Sequence, residues 1–308
     1  MQRSRSPRHS RLLLVGIAIA AVSSPARARD EAAGPASGPH PIRVLRDIAY
    51  NDAPDADPKQ KLDLYLPTDV KRFPVLFFVH GGAWTIGDRR MFGSLGPVFA
   101  RNGIGVVMIS YRLSPKVKHP AHIEDVARAF AWTHAHINEY GGRADRIFVS
   151  GQSAGGHLAA LLATNERYLA AHGKSLRDIR AAIPISGVYR IRPGFLKNAF
   201  GDDLEMCVDA SPLDHVGGDE PPFSVIFADR DMPGCDVMSR RFVATLEAKR
   251  SKAEIHEIPG RNHVSIMMKM MVDETDPTVQ AMFRFIARHS EAEVQPPAAE
   301  PAPASTGR

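Results

Sequence analysis

The 308-residue chain is short of the features that would point to several common functions. It has two cysteines, Cys207 and Cys235. Two cysteines cannot build a disulfide scaffold in a domain this large, although one bridge between them is compatible with an oxidising compartment. No CxxC pair and no HExxH run is present, so no metal-binding spacing is legible and no metal or organic cofactor is expected. No internal repeat is visible. No apolar run reaches the length of a comfortable membrane span. The longest, Leu12 to Val22, follows Arg3, Arg5, Arg8 and Arg11 and precedes Pro25-Ala26-Arg27-Ala28. A positive stretch, a short apolar run and small residues at a cleavage site make a secretory signal peptide pattern over residues 1–28. An exported protein, periplasmic or secreted and without a stable membrane anchor, is expected.

An excess of basic charge is also missing once that segment is set aside. The whole chain has 39 Lys+Arg against 34 Asp+Glu, and residues 1–28 hold five Arg and no acid. The remaining 280 residues therefore carry 34 of each sign. The basic pI of about 9.3 is not the footprint of a nucleic-acid binder. Residues 29–41 read as an Ala/Gly/Pro-rich linker, and residues 291–308 as a Pro/Ala/Glu-rich disordered tail.

Within residues 42–290, apolar runs alternate with amphipathic stretches. Val44 to Tyr50 and Leu62 to Tyr65 alternate as half-buried strands do. Pro74 to Val79, Ile104 to Ile109 and Ile147 to Ser150 are continuous apolar runs, suited to strands covered on both faces. Ala182 to Ile185, Phe223 to Phe227 and Ala253 to Ile258 continue the series. Helical spacing marks Ile123 to Tyr140, Ser153 to Ala163, Met238 to Lys249 and Val279 to His289. This alternation predicts an α/β domain with a mostly parallel central sheet and helices on both faces. Ligand sites in such sheets lie at the carboxyl ends of the strands.

Three segments with chemical potential sit just after strands. Gly151-Gln152-Ser153-Ala154-Gly155 follows the Ile147–Ser150 run and precedes a helical pattern, which is the strand–turn–helix context that GxSxG requires. The motif by itself occurs by chance in roughly one chain in ten of this length, so the context carries the weight. His80-Gly81-Gly82-Ala83-Trp84 follows the Pro74–Val79 run. Its paired glycines let backbone N–H groups approach a substrate, and with the amide of Ala154 they would form an oxyanion hole. His80 reads as support for that loop. A serine hydroxyl needs an adjacent base, and this fold type orders the chain as Ser, acid, His. His263 sits on a loop past the Ala253–Ile258 strand, whereas His256 lies within that strand and His289 late on the last helix. For the acid, Asp229, Asp231 and Asp236 all follow the Phe223–Phe227 strand. Asp231, two residues into the loop, is the choice.

These residues resemble a known family. His80 to Trp84, Tyr111-Arg112-Leu113-Ser114-Pro115, His119-Pro120, Glu124-Asp125-Val126 and Gly151 to His157 are similar to motifs of the hormone-sensitive-lipase-like esterases. Ala210 to Val216 with Pro221-Pro222-Phe223 resembles the feruloyl-esterase-related branch. The resemblance runs from about Leu62 to Ala287. It implies an α/β-hydrolase fold with a small or no cap, Ser153 as nucleophile with His263 and Asp231 as partners, and Gly81, Gly82 and Ala154 as oxyanion donors. It implies a carboxylesterase acting on a small-molecule or glycan-linked ester: a short-chain, acetyl or feruloyl ester. One departure is Ala228-Asp229-Arg230-Asp231, where the family has Gly two residues before the acid. The segment Tyr189 to His215 could supply a small lid. Trp84, Tyr189 and Met206 are candidates for pocket walls or for ordinary packing, and Tyr111, Arg112 and Asp125 for polar contacts behind the site. The motifs also resemble an arylformamidase-type amide hydrolase, whose substrate is cytosolic. A peptidase is compatible with the same motifs. So is an inactive hydrolase fold serving as a binding module, though it is disfavoured because no motif residue is lost.

Overall fold

The computed structural model describes residues 39–290; the expected signal peptide, most of the linker and the tail lie outside them. Among the described residues, eight strands form one sheet: β1 (Ile42–Ala49), β2 (Lys61–Pro67), β3 (Phe73–Val79), β4 (Gly105–Ile109), β5 (Gly142–Gln152), β6 (Ala181–Ile185), β7 (Phe223–Arg230) and β8 (Ala253–Asn262). Their order is β1-β2-β4-β3-β5-β6-β7-β8, with β1/β2 and β2/β4 antiparallel and all other pairs parallel. The helices are α1 (Leu95–Ala100), α2 (Ala121–His136), α3 (Ala154–Leu162), α4 (Glu166–Ala170), α5 (Lys197–Phe200), α6 (Leu204–Asp209), α7 (Cys235–Ala248), α8 (Ser265–Met270) and α9 (Pro277–Ser290).

The period-2 alternation of a strand explains the two cores. In β3, Val75, Phe77 and Val79 join one cluster with Ile123, Val126 and Phe130 of α2, Leu158 and Leu161 of α3, and Phe242 and Leu246 of α7. Leu76 and Phe78 join the other, with Leu95 and Phe99 of α1 and Val279, Met282 and Phe285 of α9. Both faces of the central strands are therefore covered, as the continuous apolar runs predict, whereas β8 at the sheet edge is mostly half-buried or exposed. Cys207 and Cys235 are buried and unpaired.

Element boundaries differ from the sequence expectation in ways that matter for the site. The stretch Ile123 to Tyr140 is α2 followed by a separate 3-10 turn, closed by Gly141 at φ 89°. Strands β7 and β8 run on to Arg230 and Asn262, which pair in register beyond a bulge. Their next residues, Asp231 and His263, therefore emerge side by side. The Tyr189–His215 segment carries α5, α6 and a 3-10 turn, and it is bolted to the body. His119 N–H donates to the Ala199 carbonyl at 2.8 Å, and His157 Nε2 lies 2.7 Å from the Ala210 carbonyl.

Candidate active site

Strand β5 delivers Ser153 on a turn too sharp for ordinary side chains around it. Ser153 itself has φ 57° and ψ −119°, a strained conformation for a residue with a Cβ. A Cβ on Gly155 would lie 2.0 Å from the Val79 carbonyl oxygen, and one on Gly151 would lie 2.5 Å from the Gly155 backbone. The glycines of GxSxG are thus required by close backbone packing of β3 against the start of α3. The Ser153 N–H donates to the Ile185 carbonyl at 2.9 Å, tying the turn to the end of β6.

Three sequence-predicted residues meet here. Ser153 Oγ lies 2.9 Å from His263 Nε2, and His263 Nδ1 lies 2.6 Å from Asp231 Oδ1. Asp231 is almost wholly buried, while His263 keeps a fifth of its side chain in solvent. Burial works to raise the Asp231 pKa, but hydrogen bonds from His263, Ser186 and the Ala228 and Met232 amides outweigh it and hold the carboxyl at about 2. The carboxylate is therefore ionised near neutrality and can only accept. Nδ1 must carry the proton, which leaves Nε2 free to accept from the serine hydroxyl.

The two remaining acid candidates lie elsewhere. Asp229 accepts the Gly260 and Arg261 amides at 2.8 and 2.9 Å, clamping the end of β8 to β7. Asp236 stands in the first turn of α7. His256 pairs with Glu254 within β8 at 2.9 Å, and His289 contacts the Phe285 carbonyl on α9.

Gly81 flanks the serine, and Gly82 follows Gly81 in the loop. A Cβ on Gly81 would come within 3.4 Å of Ser153 Cβ and 2.8 Å of the Gln152 carbonyl oxygen. Gly82 has φ +118°, and a Cβ there would meet the Ile86 carbonyl oxygen at 2.1 Å. Ala154 opens α3, in the turn whose N–H groups lack helical partners. The loop is held from behind. His80 is buried, with its ring 4.4 Å from that of Tyr111, and burial holds its pKa down at about 4. Tyr111 donates to the His80 carbonyl at 3.1 Å. Farther along the loop, Arg89 Nε reaches Asp63 at 2.7 Å. Asp125 binds Arg112 and Gln60 behind these elements.

The pocket-wall expectation gives way for two of its three residues. Trp84 is 2% exposed, its ring held edge-on between His157 and Phe200 at 5.0 and 4.9 Å. Tyr189 is fully buried and stacked on Phe242 at 4.3 Å. Both are packing residues, enclosed by rings that other parts of the chain bring against them. Met206 is half-buried on α6, where a Cβ on Gly201 would lie 3.6 Å from its sulfur.

Two residues escaped the sequence reading. Ser186 Oγ donates to Asp231 Oδ2 at 2.5 Å. Gln152 Nε2 donates to the His263 carbonyl at 3.0 Å. The available signal for Ser186 was a polar residue immediately after the continuous apolar run of β6. Among the described residues, no cluster of His, Cys, Asp and Glu could hold a metal, and no helix is long and apolar enough to cross a membrane.

Known proteins resemble this chain in sequence and in fold. Residues 62–188, which include Ser153 and the Gly81-Gly82 loop, match the BD-FAE family model. The "Probable carboxylic ester hydrolase LipM" of Mycobacterium tuberculosis is 34% identical over 269 residues, covering 76% of this chain and 61% of that protein. "Esterase LipC" of the same organism is 35% identical, covering 78% and 64%. The chain thus spans less than two thirds of the length of either relative. Among solved structures, esterase B from Lactobacillus rhamnosis shares the fold with a TM-score of 0.71 at 23% identity, covering 82% of this chain and 87% of that one. EstE1, a carboxylesterase cloned from a metagenomic library, has a TM-score of 0.68 at 20% identity, with coverage of 83% and 92%.

Proposed function

We propose that this chain, an α/β-hydrolase whose residues 62–188 match the BD-FAE family, hydrolyses carboxylic esters by acyl transfer to Ser153. The observation that carries the reading is the continuous relay from Ser153 Oγ through His263 to Asp231, at 2.9 and 2.6 Å. The esterases among its relatives support the same reaction class.

In this reading Ser153 Oγ attacks the ester carbonyl while His263 Nε2 takes its proton. The carbonyl oxygen becomes an oxyanion, met by the amides of Gly81, Gly82 and Ala154. The glycine geometry supports that role, since the backbone there carries no side chain to shield it. His263 then returns the proton to the departing alkoxide, and the acyl group stays on Ser153. Water, activated by the same imidazole, releases the acid. Asp231 holds the tautomer and stabilises the imidazolium without taking the proton.

The surroundings favour an ester with an apolar acyl or alcohol group over a sugar-linked one. Ile86, Met232 and Val264 follow the oxyanion loop, the acid and the base, and are 63%, 57% and 66% exposed. Exposed apolar side chains gathered around one site mark a surface that meets apolar partners. Export through the pattern in residues 1–28 completes the proposal; N-terminal sequencing of protein recovered outside the cytoplasm would show the chain starting at Arg29, and retention of Met1 would contradict it.

The test is turnover of p-nitrophenyl esters from acetate to long acyl chains, with feruloyl and formyl-kynurenine substrates alongside, comparing wild type with Ser153→Ala. Short-chain ester turnover that disappears in the variant is expected. Turnover of the formamide alone, or ester turnover untouched by the substitution, would overturn the reading.

A further inference from the structure

We propose that Ser186 is a positioning residue for the acid of the relay: its hydroxyl holds one oxygen of the Asp231 carboxylate and so fixes the rotation of the carboxylate plane at which the other oxygen meets His263. The inference rests on the esterase reading above and deepens it.

The argument starts with the carboxylate. Asp231 Oδ1 accepts from His263 Nδ1 at 2.6 Å and from the Met232 amide at 2.7 Å. Oδ2 accepts from Ser186 Oγ at 2.5 Å and from the Ala228 amide at 3.0 Å. Two of these four donors, Ala228 and Met232, belong to the acid's own turn and move with it. Ser186 immediately follows β6, a different strand, and supplies the fixed external reference on the oxygen that His263 does not use. A hydroxyl suits the task. It is neutral, so it orients the carboxylate without cancelling the charge that stabilises the imidazolium.

The backbone of Ser186 shows what the placement costs. Its φ is +48°, the left-handed region that side chains with a Cβ avoid. A turn of that kind ordinarily selects glycine, yet the serine occupies it and Gly187 follows. The residue is 1% exposed, so its hydroxyl is not serving solvent. Its N–H donates to the Ile226 carbonyl at 2.8 Å, stitching the end of β6 to β7. The neighbouring Ile185 carbonyl accepts the Ser153 N–H at 2.9 Å. One strand end therefore holds the backbone of the nucleophile and the side chain of the acid together.

Ser186→Gly and Ser186→Ala separate hydroxyl from backbone. Glycine relieves the left-handed strain and removes the hydroxyl; alanine removes the hydroxyl and keeps the strain. Both variants are made in the wild-type and Asp231→Asn backgrounds. The readouts are kcat and KM on p-nitrophenyl butyrate, the rate of fluorophosphonate labelling of Ser153, and the thermal midpoint. Both variants are expected to lose on the order of tenfold in kcat and in labelling rate, the scale of one hydrogen bond to a charged group, with KM essentially unchanged. In the Asp231→Asn background the same substitutions are expected to cost nothing further in labelling rate, because Ser186 acts through Asp231. The glycine variant is expected to melt no lower than the alanine variant. Wild-type kcat in Ser186→Gly, or a full additional loss on top of Asp231→Asn, would overturn the assignment. A wild type that turns over no ester, or labelling that survives Ser153→Ala, would instead overturn the esterase reading itself and this proposal with it.

Discussion

Asp229 and Asp231 stand two residues apart at the end of β7 and do different work: Asp231 takes the His263 imidazole at 2.6 Å, while Asp229 takes the backbone amides of Gly260 and Arg261. Asp231 is bonded to the imidazole that the proposed mechanism uses, and Asp229 holds the strand end from which His263 departs. Asp231→Asn is expected to reduce kcat by on the order of 10³–10⁴, because an amide cannot select the productive imidazole tautomer. Asp229→Asn keeps one acceptor oxygen for the two amides and is expected to retain most of its turnover. Steady-state kinetics of the two variants side by side check this, and an equal loss in both would remove the distinction.

The Gly82 position makes a separate prediction. Gly82→Ala forces a Cβ toward the Ile86 carbonyl oxygen at 2.1 Å and strains a backbone at φ +118°. If its amide helps to hold the oxyanion, kcat should fall on the order of 100-fold. Gly173 is the control: its φ is +66°, but a Cβ there meets nothing within 4 Å. Gly173→Ala should cost only about 1 kcal/mol of stability and leave kcat alone. A small kinetic effect at Gly82 with a large loss of thermal midpoint would assign it to folding alone.

Acid lability follows from three buried histidines. Burial lowers the pKa of His80 from 6.5 to about 4, and those of His122 and His157 to about 3. For His157 the reason is visible in its bonds: Nε2 donates to the Ala210 carbonyl, so Nδ1 is left to accept from Trp84 Nε1, and a second proton would break that contact. All three stay neutral in the fold, whereas the unfolded chain binds protons below its ordinary histidine pKa. Stability should be flat above about pH 7 and fall as the pH drops toward 4, by about 1.4 kcal/mol per pH unit for each histidine fully within its window. Asp231, depressed to about 2, adds its loss only below the ordinary carboxylate range. Urea midpoints at pH 7.5, 6 and 5 test this; a midpoint independent of pH would contradict it.

The segment after β6 offers a fourth test. Asp209 Oδ2 accepts from His119 Nε2 at 2.8 Å, Tyr168 Oη at 2.6 Å and Arg167 Nη2 at 2.7 Å, which pins α6 to the body. Asp209→Ala leaves buried donors on Tyr168 and His119 without their acceptor, at a cost of about 2 kcal/mol. A lower thermal midpoint and faster proteolysis between Tyr189 and His215 are expected. An unchanged proteolysis pattern would show that the segment is held by its apolar contacts instead.

Much of the site was legible because its constraints are local. The glycines of Gly151-Gln152-Ser153-Ala154-Gly155 and of His80-Gly81-Gly82 answer to close backbone approach, and such demands write themselves into residue type. The choice of Asp231 over Asp229 followed from loop position and family likeness. Trp84 and Tyr189 were less tractable: an aromatic after a strand end packs inward or lines a pocket according to what stands opposite it, and Phe200 and Phe242 arrive from more than fifty residues away.

By itself the sequence determined the alternating strands and helices, the covered sheet, the turn that carries Ser153 and the candidates for its partners, since periodicity and glycine placement are properties of neighbouring residues. Tertiary structure decided what pairing alone can decide. The register of Arg230 with Asn262 sets Asp231 beside His263, and the end of β6 brings Ser186 to the acid across 45 residues of chain. Hydrogen bonds of that kind depend on strand order and on the last residue of each strand, and neither is encoded in any single segment.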